Sequence, residues 1–146
     1  MITFKKINDC DEINNLLVDF EDCFPHLKEK ISDYSEFSKK LQKYANVFVA
    51  NIGLETIGIS CFYANDFDFF HGYISLIGIK KEYQSQGYGK ELLCFTEQKM
   101  LEMKMKTIKL EVDNDNIKAL TFYKLNGFEI DELLQNSLYM KKCLGD

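Results

Sequence analysis

Two glycines that precede a helical pattern give this chain a candidate anion site. Gly87 and Gly89 bracket Tyr88 at the end of the segment Tyr73–Lys90, and apolar residues recur at helical spacing from Lys90 onward. Glycine lets the backbone approach a ligand closely, and the free N–H groups of a helix's first turn carry the positive end of the helix dipole. This arrangement predicts a loop that binds a pyrophosphate.

Two common phosphate-binding loops do not match this segment. The dinucleotide fingerprint Gly-x-Gly-x-x-Gly needs a third glycine where this chain has Leu92. The P-loop needs serine or threonine after a Gly-Lys pair, whereas Glu91 follows Lys90. The two mismatches argue against a domain that binds NAD or ATP.

The last third of the chain contains a strand pattern followed by a helix pattern. Thr107–Asp113 alternates as a strand does, and a short helix is predicted from about Asn116 to Leu125. Asn126 and Gly127 are suited to end that helix. The first glycine segment and this second segment are therefore separated by one helix of suitable length.

Together, the two segments resemble the GNAT superfamily of acetyltransferases. Residues 84–89, Gln-Ser-Gln-Gly-Tyr-Gly, match the Q/R-x-x-G-x-G/A motif with which that superfamily binds the pyrophosphate of acetyl-CoA. The second segment matches a strand motif L-x-V and a helix motif N-x-x-A-x-x-x-Y-x-x-x-G-F through Leu110, Val112, Asn116, Ala119, Tyr123, Gly127 and Phe128. The resemblance covers about Gly58–Met140 and implies an N-acetyltransferase with acetyl-CoA as its co-substrate.

The resemblance also implies a set of coenzyme contacts. Main-chain N–H groups at the helix start would hold the pyrophosphate, and the preceding strand would pair with the pantetheine amides like an added strand. It places a bulge near Ile77 and Gly78, with the Ile77 N–H directed at the thioester oxygen. Packing beneath a helix is the alternative role for Gly78. The predicted contacts are Ile77, Gly78, Ile79, Gln84, Ser85, Gln86, Gly87, Tyr88, Gly89, Lys90, Asn116 and Tyr123.

Tyr123 corresponds to the family tyrosine that donates a proton to the departing coenzyme A thiolate. A phenol with a pKa of about 10 and a thiol with a pKa roughly one or two units lower exchange a proton readily over a hydrogen bond. Packing on the core and positioning of the sulfur atom are the alternative roles. Asn116 is expected to cap its helix and to hydrogen-bond the coenzyme, and capping alone would also explain it.

The motifs leave open which base accepts the proton of the attacking amine. Some members of the superfamily carry a glutamate on the fourth strand, where this chain has Tyr73, and a neutral phenol is a poor base near pH 7. The candidates are Glu111 on the fifth strand, His71, Asp68, and a water chain lined by Tyr73 and Ser75. The predicted catalytic residues are Tyr123, Ile77 and Glu111.

Hydrophobic patterns predict the elements that must position these residues. Strict alternation groups Ile77 and Ile79 with Tyr73 on one face of the fourth strand, and Ile74 with Leu76 on the other. Strands are predicted at Ile2–Ile7, Asn46–Ile52, Glu55–Tyr63, Tyr73–Ile79, Thr107–Asp113 and Ser137–Leu144, and helices at residues 11–24, 32–44, 90–104 and 116–125. The expected fold is α/β, with a GNAT-like mixed, mostly antiparallel sheet of six or seven strands, splayed at its centre and flanked by about four helices.

Length and composition indicate a single acetyltransferase domain over residues 1–146. Hydrophobic residues make up 46% of the chain, which is enough for one core. The net charge of -5 and the absence of arginine argue against nucleic-acid binding. The five cysteines show no Cys-x-x-Cys spacing, and no membrane or signal segment is evident, so we expect a cytoplasmic protein with reduced thiols. Cys61 and Cys94 are predicted in the core, and no metal site is predicted.

Several acidic residues favour a cationic acceptor. Asp19, Glu21, Asp22, Asp66 and Asp68 lie in or near segments that could border an acceptor site. A small amine or amino sugar is the favoured acceptor, and a peptide or protein amino terminus is the alternative. A non-catalytic acyl-CoA-binding module also fits, because the fourth strand lacks the carboxylate. We expect a monomer or a homodimer.

Overall fold

The computed structural model describes residues 1–145, which form one open sheet with helices on both faces. The strands are β1 (Ile2–Lys6), β2 (Asn46–Ile52), β3 (Glu55–Tyr63), β4 (His71–Ile79), β5 (Thr107–Asp113), β6 (Glu129–Leu133) and β7 (Ser137–Cys143). The helices are α1 (Cys10–Asp19), α2 (Leu27–Lys30), α3 (Tyr34–Tyr44), α4 (Tyr88–Glu102) and α5 (Ile117–Leu125), with 3₁₀ turns at Glu21–Cys23 and Lys81–Tyr83. The predicted α/β class and mixed sheet are confirmed, and none of the described helices is long and apolar enough to cross a membrane.

The sheet opens between its two central strands. Its order is β1-β2-β3-β4-β5-β7-β6, and all neighbouring strands are antiparallel except β4 and β5. The parallel ladder joins only His71–Ile74 to Thr107–Leu110. From there β4 continues to Ile79 with β3 as its partner. The central strands therefore separate after Ile74, where the resemblance implied a splayed sheet.

Helices cover both faces of the sheet around this opening. On one face, α4 and α5 pack over a core that includes Leu93, Met100 and Ile108. On the other face, α1 and α3 bury Leu17 and Leu41 against β2 and β3. Full burial of one such leucine stabilises the fold by about 1.5–3 kcal/mol. The first of these cores contains residues of both central strands, among them Ile74 of β4 and Ile108 of β5.

A bulge in β4 overrides the alternation predicted for its side chains. Leu76 and Ile74 pair with consecutive residues of β3, so Ser75 is the extra residue. Ile74 and Ile77 consequently pack against the same core, and Leu76 packs against the opposite one. The predicted grouping of Ile74 with Leu76 is therefore wrong, and the bulge lies at Ser75 rather than near Ile77 and Gly78.

The first helical region is broken where its pattern predicts one continuous helix. Asp9 caps α1, since its Oδ2 accepts from the Glu12 N–H at 3.1 Å. The chain leaves the helical conformation at Phe20, with a φ of -101° and a ψ of 5°. A 3₁₀ turn and the short helix α2 follow, and they lead the chain across the open part of the sheet.

Exposed residues account for the other differences from the predicted elements. Cys61 is buried as predicted, but Cys94 is exposed, because α4 turns Leu93 and Thr96 toward the core and position 94 toward solvent. The pattern also missed β6, in which every residue is exposed and no apolar alternation marks the strand.

Candidate active site

A cleft of about 730 Å³ opens where β4 and β5 separate. This volume lies within the range of about 300–1,000 Å³ that is usual for small-molecule sites. Its walls come from the ends of β4 and β5, the start of α4, one side of α5, and the segment Cys23–Ile31. The opening of the sheet thus brings residues from distant parts of the chain into one cavity.

Gln84 holds the loop before α4 in place. Its Nε2 donates to the Ile79 carbonyl at 2.8 Å, and its Oε1 accepts from the Lys118 Nζ on α5 at 2.7 Å. Gly87 forms the N-cap of α4 with a φ of 90°. Because glycine has no side chain, it offers no hydrogen-bond acceptor that would cap the N–H groups of the first turn. The N–H groups of that turn are therefore left for a ligand, and Lys90 adds positive charge at the cleft wall.

Most of the predicted pyrophosphate contacts line the cleft. These are Gln84, Ser85, Gly87, Gly89 and Lys90. The side chains of the other two are engaged elsewhere: Gln86 Nε2 donates to the Glu82 carbonyl at 3.2 Å, and the Tyr88 ring packs edge-on against Tyr83. Gln86 and Tyr88 can therefore meet a ligand at this site through main-chain groups alone.

The main chain of β4 presents two amides to the cleft. The Lys80 N–H donates to the Ile57 carbonyl on β3 at 2.8 Å, which fixes the direction of the amides before it. Because successive amides in a strand alternate in direction, Gly78 faces β3 while Ile77 and Ile79 face the opening. The predicted oxyanion donor, the Ile77 N–H, consequently points toward the separated β5.

Gly78 and Gly89 differ in how much space the surrounding protein leaves for a Cβ atom. A Cβ at Gly78 would lie 3.1 and 3.2 Å from two ring atoms of Phe24 and 3.5 Å from the Cys23 Cβ. Packing alone thus explains Gly78. A Cβ at Gly89 would meet its nearest neighbour, the Phe122 ring, at an ordinary 3.6 Å, so packing does not require a glycine there.

Tyr123 lies in the α5 wall of the cleft between two aromatic rings. Its centroid is 5.4 Å from that of Phe122 and 5.4 Å from that of Phe128, with edge-to-face geometry. Burial raises the pKa of the Tyr123 phenol, so the side chain keeps its proton at neutral pH. The same poorly solvated surroundings would raise the pKa of a thiol bound beside it, which keeps the difference between the two groups small.

Asn116 also lines the cleft, at the start of α5. Its Oδ1 accepts from the Ala119 N–H at 3.2 Å, so the predicted cap is present. The contact of Asn116 with the coenzyme stays a prediction.

Glu111 and Tyr73 are neighbours on the face of the sheet that α1 and α3 cover. Leu110 and Val112 belong to the core under α4 and α5, so Glu111 between them projects to the other face. Its Oε2 accepts from the Ser137 Oγ at 2.6 Å. Burial and then the charge of Glu111 raise the pKa of Tyr73 to about 12, which keeps that phenol neutral. Glu111 is therefore the carboxylate that the cleft offers next to Tyr73.

An ion pair between Lys30 and Asp113 joins α2 to the end of β5 in the cleft wall. The Lys30 Nζ lies 2.9 Å from Asp113 Oδ1 and 3.1 Å from Oδ2. Apolar side chains line the same side of the cleft, namely Phe24, Pro25, Leu27, Ile31 and Phe37. The sequence pattern missed this wall because α2 has only four residues, too few to show a helical period.

Asp68 and His71 lie outside the cleft, whereas Tyr73 and Ser75, the candidates to line a water chain, both border it. Asp66 and Asp68 belong to the loop between β3 and β4, where Asp66 Oδ1 accepts from the N–H groups of Asp68 at 3.1 Å and Phe69 at 3.0 Å. The His71 ring stacks on Phe69, and its Nδ1 is enclosed without a hydrogen-bond partner in residues 1–145. Neither Asp68 nor His71 is placed to act as the base.

The acidic residues that favoured a cationic acceptor do not border the cleft either. Asp19 pairs with Lys80 at 2.9 Å, and Glu21 pairs with Lys28 at 3.1 Å. Asp22 is exposed. The carboxylates that do line the cleft, within the described residues, are Glu111 and Asp113.

One group of possible metal ligands occurs in the described part of the chain. The ligand atoms of His26, Asp113 and Asp115 lie within 4.8 Å of one another. Asp113 is already paired with Lys30, and the His26 Nδ1 is 3.0 Å from Glu29 Oε2. We assign no metal to this group.

A family model described as Acetyltransferase (GNAT) family matches residues 12–128. Among curated proteins, YxbD of Bacillus subtilis (strain 168) is 36% identical over 63 residues, and N-alpha-acetyltransferase 30 of Dictyostelium discoideum is 39% identical over 57 residues. These matches cover 43% and 39% of this chain, but only 40% and 31% of the two relatives. The matched segment thus accounts for less than half the length of either relative.

Solved structures share the fold over almost the whole chain. PaiA N-acetyltransferase from Thermoplasma acidophilum, in complex with coenzyme A, has a TM-score of 0.78 at 19% identity and covers 98% of this chain and 99% of its own. A GNAT family acetyltransferase from Elizabethkingia anophelis with acetyl-CoA bound has a TM-score of 0.72 at 18% identity, with 97% of each chain covered. At these identities the likeness shows that this chain shares the fold of the two proteins.

Proposed function

This chain belongs to the GNAT family of acetyltransferases, and we propose that it transfers the acetyl group of acetyl-CoA directly to the primary amine of a small molecule. The observation that carries the proposal is the shared cleft. It brings the start of α4, the outward-facing amides of β4, Tyr123 and Glu111 to one cavity. Direct transfer needs an anchor for the donor, an oxyanion donor, a proton donor and a base, and the cleft contains a candidate for each.

The donor side of the cleft suits a coenzyme A thioester. N–H groups of the first turn of α4, together with Lys90, match the charge of a pyrophosphate. The backbone of Ile77 and Ile79 faces the cleft and can pair with amides of an extended chain. Bound acetyl-CoA would supply an activated acyl group there. The Ile77 N–H would then stabilise the negative charge that develops on the acyl oxygen.

Two residues on opposite faces of the opened sheet are proposed to move protons. Glu111 accepts a proton from the attacking amine, directly or through a water molecule, as the new N–C bond forms. Tyr123 gives its proton to the sulfur as the C–S bond breaks, and solvent then returns a proton to the phenol. The gap between β4 and β5 lets Glu111 act on the attacking amine and Tyr123 on the leaving sulfur at the same carbonyl carbon.

Release of free thiol in the presence of an amine tests this function. We expect thiol to appear from acetyl-CoA only when an amine is supplied, as measured with a thiol reagent over a panel of amines. Tyr123→Phe should lower kcat by about a hundredfold, a typical value for loss of a general acid, while calorimetry shows nearly unchanged binding of acetyl-CoA.

Tyr63→Phe is the matched control for that substitution. Burial also raises the pKa of Tyr63, but Tyr63 does not line the cleft. Its replacement should leave kcat within about twofold of the wild type. Equal losses in the two variants would contradict the proposed role of Tyr123, and thiol release without amine would contradict direct transfer to an amine.

A peptide or protein amino terminus is the second candidate acceptor. It is favoured by the similarity of this chain to N-alpha-acetyltransferase 30 of Dictyostelium discoideum. Short peptides with free amino termini belong in the same panel and would separate the two classes. Tight acetyl-CoA binding with no transfer to any amine or peptide would instead indicate a non-catalytic acyl-CoA-binding module.

A further inference from the structure

We infer that the acceptor end of the cleft selects a primary amine with one positive charge on an apolar body, and that the Lys30–Asp113 ion pair maintains this selectivity. The inference rests on the proposed function and specifies its acceptor. It disfavours diamines, polyamines and amino sugars, although an amino sugar was one of the acceptors that the acidic residues favoured.

The acceptor end is the part of the cleft on the face opposite Tyr123. Tyr123 packs with the core under α4 and α5, which also border the pyrophosphate loop. Tyr73, Glu111 and Asp113 lie toward the other face, together with the segment that follows α1. An acceptor that meets the thioester in the opening must therefore contact these residues.

This end of the cleft carries one uncompensated negative charge. Its carboxylates are Glu111 and Asp113, and Lys30 neutralises Asp113 with both carboxylate oxygens in reach. Glu111 accepts a neutral hydrogen bond from Ser137 and has no ion-pair partner among the described residues. A monocation balances this charge, whereas a second ammonium would find no free carboxylate in the lining of the cleft. Asp115, whose carboxylate lies within 4.8 Å of the ligand atoms of Asp113 and His26, is exposed and lies outside that lining.

The wall around this charge is apolar. Phe24, Leu27, Ile31 and Phe37 line it, and the neighbouring Tyr73 is kept neutral. Each methylene group buried there should improve binding about fourfold. The hydroxyl groups of an amino sugar would lose their bonds to water on this wall without replacement, which lowers affinity.

Three amines, with methylamine as a fourth for chain length, test the inference on the full chain by their kcat/KM values. Pentylamine and 1,5-diaminopentane have the same chain length and differ by one charge, and glucosamine adds hydroxyl groups. We expect pentylamine to exceed each of the other two at least tenfold. Pentylamine should also exceed methylamine, because its chain reaches the apolar wall.

Substitutions of the ion pair test its role. Lys30→Gln releases Asp113, so kcat/KM for the diamine should rise about fivefold relative to pentylamine, as expected for one partly exposed charge pair. The double variant Lys30→Gln/Asp113→Asn restores the wild-type charge and should restore the wild-type ratio. Lys28→Gln is the control, because Lys28 is also on α2 but pairs with Glu21 outside the cleft.

The outcomes separate this inference from the proposed function. Transfer to amines with a preference for diaminopentane or glucosamine overturns the inference and leaves the function intact. The same conclusion follows if Lys30→Gln does not change the ratio of kcat/KM for the diamine to kcat/KM for pentylamine. No transfer to any amine overturns both. A peptide with an apolar first residue that far exceeds pentylamine supports the same charge rule and identifies a peptide as the source of the amine.

Discussion

Replacement of Gly87 by alanine should weaken both the fold and the binding of acetyl-CoA, whereas the same replacement at Gly89 should do neither. The two glycines are separated by Tyr88 at the start of α4. Gly87 has a φ of 90°, a conformation that alanine rarely adopts, and Gly89 lies within the helix without a positive φ. The two variants therefore differ in backbone conformation and not in the group that is added.

The expected magnitudes follow from the space around each glycine. A Cβ at Gly87 would have no atom within 4 Å, so the cost is that of the left-handed backbone alone, about 1–2 kcal/mol. A Cβ at Gly89 would have its nearest neighbour at 3.6 Å, and alanine in a helix is favoured over glycine by about 0.5–1 kcal/mol. Opposite signs are thus expected for the change in the free energy of unfolding.

Thermal unfolding measures the effect on stability, and calorimetry with acetyl-CoA measures the effect on binding. Gly87→Ala should lower the melting temperature by about 2–8 °C. It should also raise the Kd for acetyl-CoA about tenfold or more, because relaxation of the strained residue redirects N–H groups that bind a charged ligand. Gly89→Ala should be at least as stable as the wild type, with a Kd within about threefold of the wild-type value.

Two results would refute the reasoning about this helix start. A Gly87→Ala variant with wild-type stability and wild-type affinity would show that the N-cap conformation is not required. A Gly89→Ala variant that is less stable than Gly87→Ala would show that steric contact, not backbone conformation, determines which residues this turn accepts.

Three further predictions concern the walls of the cleft. Gly78→Ala should lower the free energy of unfolding by about 1–3 kcal/mol, because its Cβ would press on the Phe24 ring, and unchanged urea midpoints would contradict this. Asn116→Ala should cost about 1 kcal/mol of stability through loss of the cap, whereas Asn116→Ser keeps a neutral cap. A loss of acetyl-CoA affinity in Asn116→Ser would indicate a coenzyme contact. Because burial raises the pKa of Tyr123, the stability that this phenol contributes is fully present below about pH 10. It is lost as pH rises through the higher folded-state pKa, by about 1.4 kcal/mol per unit of the shift. In urea titrations above pH 10, the free energy of unfolding should therefore fall less steeply with pH for Tyr123→Phe than for the wild type.

Local sequence patterns predicted the strands and helices whose conformation depends on residues a few positions away in the chain. The predicted bounds of β2, β3 and β5 are those observed, because apolar alternation and the turn at Gly53 with its φ of 60° are short-range features. The same holds for α5, whose cap Asn116 and terminating Gly127 act within one turn of the helix.

Features that depend on a partner strand or a distant segment could not be predicted in this way. The bulge at Ser75 is a property of the register between β4 and β3, and the alternation of one strand carries no information about it. The fully exposed β6 depends on its pairing with β7. Lys30 and Asp113 are 83 positions apart in the chain, and only the path of α2 over the cleft brings them together.

By itself, the sequence determined the glycine loop, the helix that follows it and the placement of Tyr123 on a later helix, because glycine conformation, capping and hydrophobic period act over a few residues. The tertiary structure alone decided which charges meet in the cleft. It placed Glu111 beside Tyr73, removed Asp68 and His71 from consideration as the base, and neutralised Asp113 with Lys30. The energy of an electrostatic interaction depends on the distance between the charges in space, and this distance is set only when the strands and helices pack together.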